Sequence, residues 1–286
     1  MTQSARNDIP RPRTRDRARA DRPRTILITG AAGNLGRKLG DYLTAKGGYV
    51  LRRIDLDPRG DAAIAQADLA VQDQAWMDLF DGVDAVVHLA ANGSPEAEWA
   101  DLTGPNVDGL LNVLLAAAAH GTPRVVIASS VWAVAARHQG RDPLTAGPPD
   151  PGGNSYGATK LLAERAGRAF ALARGLTVVA LRVGACRAGE NEPVATANAW
   201  EDGCWLSNID MCAGFERAIL APMTGFGVVN LTSANQGSRW SLAEAEALLD
   251  YRPTRAWSRT RQAWRQRLTL PARAARRIMD RLRQGV

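Results

Sequence analysis

Short apolar runs alternate with longer segments of helical periodicity between residues 25 and 183. The runs are rich in Val, Ile and Ala on both faces, as strands are when helices cover both sides of a parallel sheet. The longer segments repeat apolar residues every three or four positions. This rhythm predicts an α/β protein with a doubly wound parallel sheet. Six strands are predicted, over residues 25–29, 49–54, 67–69, 82–91, 124–130 and 177–183.

Three glycines, each three residues from the next, follow the first predicted strand. Gly30, Gly33 and Gly36 allow a sharp turn and a close approach of the backbone to a ligand. Asn34 and Leu35 open the next helix, where unpaired N–H groups and the helix dipole favour an anion. These residues predict a turn that binds the pyrophosphate of a dinucleotide.

Asp55 ends the second predicted strand, 19 residues after Gly36. Dinucleotide-binding folds place an acid at this interval to accept hydrogen bonds from the adenosine ribose. Its carboxylate would repel the 2′-phosphate of NADP, so the sequence predicts NAD as the cofactor and disfavours NADP.

His88, inside an apolar run, is expected to be a core residue. Because ligands lie at the carboxyl ends of such strands, we also expect cofactor contacts from Asp68, Leu69, Leu89, Ala90 and Ala91.

Tyr156 and Lys160 lie one helical turn apart on a predicted helix over residues 155–173, and Lys160 is one of only three Lys in the chain. A phenol, with its reference pKa of about 10, is a poor base at neutral pH, and a neighbouring ammonium lowers that pKa. Ser130, at the end of the adjacent strand, would donate a hydrogen bond to the substrate oxygen. The three side chains predict hydride transfer between nicotinamide and a hydroxyl or carbonyl carbon, with Tyr156 as acid and base.

Charge changes this picture only at the two ends of the chain. The net charge is +7, but residues 1–24 contribute +5 and residues 252–286 contribute +10, so residues 25–251 carry −8. Neither end interleaves aromatic residues at stacking positions or contains a nucleic-acid reader motif, so no specific nucleic-acid partner is expected.

Composition excludes several other classes of protein. Three cysteines without neighbouring histidines predict neither a disulfide framework nor a metal site. No apolar run approaches the roughly 20 residues of a membrane span, and the N-terminus lacks an apolar signal core. The sequence therefore predicts a cytoplasmic protein.

The motifs occur together and in a fixed order along the chain. They are Gly30, Gly33, Gly36, Asp55, Asp68, Leu69, Leu89, Ala90, Ala91, Asn106, Ser129, Ser130, Tyr156 and Lys160. This combination resembles the extended branch of the short-chain dehydrogenase/reductase superfamily, also called the NAD-dependent epimerase/dehydratase family, over about residues 25–253. The C-terminal half is similar to the uronate dehydrogenases. The resemblance implies a Rossmann-type fold and a fourth catalytic residue, Asn106, which would kink its helix and hold a water in a proton relay to Lys160.

The expected substrate site departs from that resemblance in two places. Uronate dehydrogenases have Asn-His after the catalytic Ser, where this chain has Val131 and Trp132, and Trp200 stands where they carry an Arg to the substrate carboxylate. The sequence therefore predicts a sugar-like substrate or a small secondary metabolite rather than a uronate. Packing of the tryptophans in the core or a lid is the other interpretation. Substrate contacts are expected from Ser94, Ser130, Val131, Trp132 and Trp200.

Two alternatives to a dehydrogenase stay open. The same oxidation could be the first step of an NAD-retaining sugar or nucleotide-sugar epimerase, or the fold could bind a dinucleotide without catalysis. Dehydration is disfavoured because residues 131–133 offer no further acid or base. The expected partners are a small-molecule substrate and further copies of the chain in a homo-oligomer.

The chain is expected to divide into four parts. Residues 1–24 form a disordered basic arm, and residues 25–184 form an NAD-binding Rossmann domain. Residues 185–253 form a small substrate-binding or lid region. Residues 254–286 form a basic C-terminal extension that includes an amphipathic helix.

Overall fold

Seven parallel strands form one sheet in the computed structural model, which describes residues 22–137, 142–147, 153–193 and 199–258. Their order across the sheet is β3, β2, β1, β4, β5, β6, β7. The winding direction therefore reverses between β1 and β4, and such a reversal opens the crevice in which doubly wound folds bind ligands. The strands are β1 (Arg24–Thr29), β2 (Tyr49–Asp55), β3 (Ala65–Gln66), β4 (Ala85–His88), β5 (Arg124–Ser130), β6 (Thr177–Val183) and β7 (Phe226–Leu231).

Helices connect the strands and cover both faces of the sheet. A π-helical segment, Thr103–Asp108, joins α3 to α4, and 3₁₀ turns cover Asp78–Phe80 and Val131–Arg137. The α-helices of the described ranges are α1 (Asn34–Lys46), α2 (Gln74–Met77), α3 (Trp99–Leu102), α4 (Gly109–Ala119), α5 (Ser155–Arg174), α6 (Ala199–Gly203), α7 (Asn208–Leu220) and α8 (Ala243–Leu249).

The two faces of the sheet pack into two separate apolar clusters. Ile26 and Ile28 of β1 pack in a cluster with residues of α1, α7 and α8, whereas Leu27 belongs to a cluster with residues of α4 and α5. Both faces of the sheet are thus buried, which explains why the strands are apolar on both sides. The predicted doubly wound fold is confirmed.

The observed strands differ from the predicted ones at both edges of the sheet. β3 lies earlier than the strand predicted at residues 67–69, because Asp55 of β2 pairs with Gln66. β7 was not predicted, and it pairs in parallel with β6. The region 185–253, predicted to be a separate lid or substrate-binding part, therefore contributes a strand to the same sheet as residues 25–184.

The first and last described residues pack onto the fold. Arg24 begins β1, and Arg22, just before it, forms an ion pair with Asp84 at 2.8 Å, so the last residues of the predicted arm contact the fold. Trp257 is buried, and its carbonyl accepts a hydrogen bond from the N–H of Gln236 at 2.9 Å. The globular part thus extends past the predicted boundary at residue 253. The remainder of the arm and the amphipathic helix lie outside the described residues.

A buried ion pair joins α5 to the sheet. Arg182 of β6 has no exposed surface, and its guanidinium donates to both carboxylate oxygens of Glu164 on α5, at 2.8 and 2.9 Å. The hydroxyl of Ser129 on β5 donates to the same carboxylate at 2.7 Å. Two strands and one helix therefore share a single buried charge pair, and either charge without its partner would be costly there.

We expect Arg182→Met to lower the free energy of unfolding by about 3–5 kcal/mol, because the buried carboxylate of Glu164 loses its counter-charge. Urea unfolding followed by circular dichroism measures this loss. As a control, Arg252→Met removes only exposed pairs with Glu246 and Asp250 and should leave the unfolding midpoint unchanged. A midpoint for Arg182→Met equal to that of the control would contradict the prediction.

Candidate active site

The glycine turn between β1 and α1 has no room for side chains. Gly30 has a φ of +67°, and a Cβ at this position would lie 2.6 Å from the backbone nitrogen of Ala90. A Cβ on Gly36 would overlap the carbonyl oxygen of Gly30. No side chain caps α1 at Gly33, so the N–H groups of its first turn remain available to a ligand. This cradle fits the pyrophosphate of a dinucleotide.

Asp55 lies beside the glycine turn at the end of β2. Its carboxylate accepts hydrogen bonds from the N–H of Ala32 at 2.8 Å and from the N–H of Asp57 at 3.2 Å. Asp68 is exposed and Leu69 is buried, and both follow β3 at the neighbouring strand end. The acid predicted to hold the ribose is thus oriented by the same turn that is predicted to hold the pyrophosphate.

A cavity of about 700 Å³ extends from the glycine turn to the first turns of α5. Its volume is that of a cofactor or drug-sized site. Most of the predicted site residues line it, namely Gly30, Gly33, Asn34, Leu35, Gly36, Leu89, Ala91, Ser130, Val131, Trp132, Tyr156, Lys160 and Trp200. The predicted residues that do not line it are Asp55, Asp68, Leu69, Ala90, Ser94 and Asn106.

Tyr156 and Lys160 reach the cavity from the first two turns of α5. The side chain of Asn154 caps this helix by accepting a hydrogen bond from the N–H of Gly157 at 2.7 Å. The Lys160 ammonium lies 5.5 Å from the centre of the Tyr156 ring and donates to the carbonyl of Ala128 at 3.1 Å. The cap and this hydrogen bond hold the pair against the end of β5.

Burial controls the protonation of this pair. It lowers the pKa of Lys160 to about 8, because the ammonium is desolvated. It raises the pKa of Tyr156, while the neighbouring Ser130 hydroxyl acts in the opposite direction. The sequence predicted that the ammonium lowers the pKa of Tyr156. In the structure this pKa is raised instead, because desolvation of the phenolate is the largest contribution.

Asn106 lies in the π-helical segment, behind the cavity. Its amide nitrogen donates to the carbonyl of Asn92 at 3.0 Å and to the hydroxyl of Thr159 at 3.1 Å, and its amide oxygen accepts from the N–H of Asn92 at 2.7 Å. The side chain therefore ties the loop after β4 to α5. The helix is irregular at Asn106, whereas its participation in a proton relay stays a prediction.

His88 is a core residue, as predicted. It is buried in β4, and its Nδ1 lies 2.8 Å from the hydroxyl oxygen of Thr29. Burial, and secondly the charge of Lys160, lower its pKa to about 3, so the imidazole is neutral at physiological pH.

The tryptophans both pack and line the cavity. The ring of Trp200 lies 4.8 Å from that of Trp240, edge to face, in a cluster that also includes Trp132. The backbone N–H of Trp132 donates to the hydroxyl of Ser130 at 3.2 Å.

Ser94 is not part of the cavity wall, and its hydroxyl donates to the carboxylate of Glu96 at 3.1 Å. The predicted substrate contact from Ser94 has no support in this geometry.

The sequence prediction missed two groups of residues near the site. The first is the buried pair Glu164 and Arg182, which supports α5. Two features of the sequence could have indicated this pair: Glu164 lies one helical turn after Lys160, and Arg182 is the only charged residue in an otherwise apolar strand. The second is the loop after β6, at residues 184–187, which also lines the cavity. Only the order of the strands brings that loop there.

The fold and the site together define a dinucleotide-dependent oxidoreductase of the short-chain dehydrogenase/reductase class, with a glycine turn and a Tyr–Lys pair in one cavity at the strand ends. The chain belongs to the NAD dependent epimerase/dehydratase family, whose sequence profile matches residues 26–191. Its cofactor is NAD. No helix in the described ranges has both the length and the apolar character needed to cross a membrane.

Known relatives agree with this assignment. The L-arabinose 1-dehydrogenase (NAD(P)(+)) of Haloferax volcanii is 33% identical over 252 residues, which cover 80% of this chain and 95% of the relative. The uronate dehydrogenase of Pseudomonas putida is 32% identical, with 80% of this chain and 83% of the relative covered. The crystal structure of uronate dehydrogenase from Agrobacterium tumefaciens is 30% identical with a TM-score of 0.72, covering 87% and 89% of the two chains. A mutant of that enzyme, complexed with NAD, gives the same TM-score. The predicted family and cofactor are confirmed.

We expect Gly36→Ala to weaken NAD binding at least tenfold, by about 1.4 kcal/mol or more, because the added Cβ displaces the carbonyl of Gly30 and deforms the turn. Isothermal titration calorimetry with NAD measures the change. Gly40→Ala is a matched control one turn along α1, where a Cβ meets nothing within 4 Å. It should leave the NAD affinity unchanged. Equal affinities of the two variants would exclude the close fit at Gly36.

Proposed function

We propose that this protein oxidises the C1 hydroxyl of an uncharged sugar, with NAD as the oxidant. The observation that carries the proposal is the convergence of Ser130, Tyr156 and Lys160 with the glycine turn in one cavity. The names of the relatives, which include arabinose and uronate dehydrogenases, support a sugar as the substrate. A cytoplasmic location and a homo-oligomeric state are further proposals from the sequence.

The residues that would hold NAD form three groups. The pyrophosphate would lie on Gly30, Gly33, Asn34, Leu35 and Gly36, the adenosine ribose on Asp55, and the nicotinamide ribose on Tyr156 and Lys160. When bound, NAD supplies the acceptor for the hydride that leaves the sugar carbon. Every proton movement falls to side chains of the protein.

Tyr156 would accept the proton of the sugar hydroxyl, and Ser130 would orient the same oxygen by a hydrogen bond. With its pKa lowered to about 8, Lys160 is able to gain or lose a proton near neutral pH. It would therefore relay the proton that Tyr156 takes up. Asn106 would support this path by fixing α5 through Thr159.

The charges around the cavity favour an uncharged substrate over a uronate. Among the described residues that line the cavity, the only cationic ones are Lys160 and Arg187, and Lys160 is bonded to the carbonyl of Ala128. Near Ser130 the wall is formed by Trp132 and Trp200 instead. Aromatic faces suit the C–H surface of a sugar ring, whereas a carboxylate there would lack a dedicated counter-charge.

We expect Tyr156→Phe to lower kcat for sugar oxidation by about 10³-fold or more, because the proton acceptor is lost. The dissociation constant for NAD should stay within about twofold, since the ring remains in place. Steady-state kinetics with aldoses and NAD, together with calorimetry, measure both values. Tyr42→Phe serves as the control, because that hydroxyl is bonded to Glu216 on α7, away from the cavity. Full activity of Tyr156→Phe would remove this residue from the mechanism.

We expect Ser130→Ala to shift the pH dependence of kcat/KM for sugar oxidation to higher pH. Oxidation requires the phenolate, so the rate rises as pH passes the pKa of Tyr156. The Ser130 hydroxyl lowers that pKa, and without it burial acts alone and raises the pKa further. Profiles of kcat/KM from pH 7 to 11 measure the shift. A rise that stays in place or moves to lower pH would contradict this effect of Ser130.

A further inference from the structure

The loop after β6, at residues 184–187, is bound to the first turns of α1. The side-chain amide of Asn34 donates to the carbonyl of Cys186 at 2.9 Å. The Lys38 ammonium donates to the carbonyl of Arg187 at 2.6 Å and to the side-chain oxygen of Asn208 at 2.7 Å. These bonds join the loop to the helix whose N-terminus forms the pyrophosphate cradle.

Lys38 satisfies its three donor hydrogens at this junction. Its third neighbour is the sulfur of Cys186, at 3.8 Å from the ammonium nitrogen. A compact ammonium with three donors fits three acceptors in different directions, whereas a planar guanidinium does not. Lys38 is one of three Lys among 36 basic residues of the chain, so a Lys at this position is unusual for this sequence.

The backbone of Arg187 is hydrogen-bonded, whereas its side chain has no ion-pair partner among the described residues. Its carbonyl accepts from Lys38, and its N–H donates to the side-chain oxygen of Asn191 at 3.0 Å. Its side chain is exposed, lines the cavity, and forms no ion pair within the described part of the chain. The backbone that carries this guanidinium is therefore fixed at the wall of the cavity next to the start of α1.

We propose that Arg187 binds the pyrophosphate of NAD, with Lys38 as the residue that positions it. The pyrophosphate carries two negative charges, and the glycine turn offers it only N–H groups. A guanidinium pairs well with phosphate oxygens, because its planar fork donates two parallel hydrogen bonds. The other cationic residue of the described cavity wall, Lys160, lies at the catalytic end. The proposal rests on NAD as the cofactor and is independent of the identity of the sugar.

The test compares ligands that differ in the pyrophosphate. We expect Arg187→Gln to raise the dissociation constants of NAD and of ADP-ribose by about tenfold each, and to leave that of adenosine unchanged. Calorimetry measures the first two and NMR titration the third. Arg174→Gln, at the exposed end of α5, is the matched control and should change none of them.

The contribution of Lys38 is tested by a double-mutant cycle on ADP-ribose affinity. Lys38→Met should weaken ADP-ribose binding, and adding it to Arg187→Gln should cause little further loss, because both act on the same contact. Fully additive losses would show that Lys38 does not act through Arg187.

Three outcomes would overturn the proposal for Arg187. An ADP-ribose affinity within twofold of the unmodified protein, with a raised KM for the sugar, would assign the guanidinium to the substrate. An equal loss for adenosine would indicate a disturbed fold, and no change in any value would leave Arg187 as a solvated side chain. Because the readout is ADP-ribose binding, failure to oxidise any sugar would count against the proposed function and not against this site.

Discussion

The buried ion pair between Glu164 and Arg182 is the interaction on which the catalytic half of the structure depends. It connects α5, which carries Tyr156 and Lys160, to β6, and Ser129 links the same carboxylate to β5. Buried pairs contribute little net stability, since desolvation offsets much of their attraction. The pair nevertheless requires one relative position of helix and strand, because both charges lose their partners if the helix shifts. The pair therefore acts mainly on the orientation of α5 relative to the strand ends.

Burial also determines the chemistry at the end of α5. Desolvation favours the neutral form of each group, so it raises the pKa of Tyr156 and lowers the pKa of Lys160 to about 8. The two pKa values, nearly equal for the free side chains, thus move apart, so that Tyr156 holds its proton more firmly than Lys160 does. Ser130 acts against burial at the phenol. The same cavity has the backbone N–H groups of the glycine turn at one part of its wall and the aromatic rings of Trp132 and Trp200 at another.

Local spacing predicted much of the fold and of the cofactor half of the site. β5 and β6 have the predicted bounds, and Gly30 and Gly36 are confined because any Cβ would meet backbone. A residue whose position depends on distant chain segments was predicted less well: Trp257 is buried and bonded to Gln236, although its segment reads as a basic extension. The Ser94 hydroxyl, in contrast, makes a local hydrogen bond to Glu96.

The sequence by itself determined the parallel sheet, the glycine turn with Asp55, and the Tyr156 and Lys160 pair, because each depends on spacing within one strand, turn or helix. Only the tertiary structure decided that β7 completes the sheet, that Arg182 meets Glu164, and that Arg187 stands at the start of α1. The physical reason is that these relations join segments up to about 150 residues apart. They follow from the order of the strands and from burial, neither of which is encoded in any single segment.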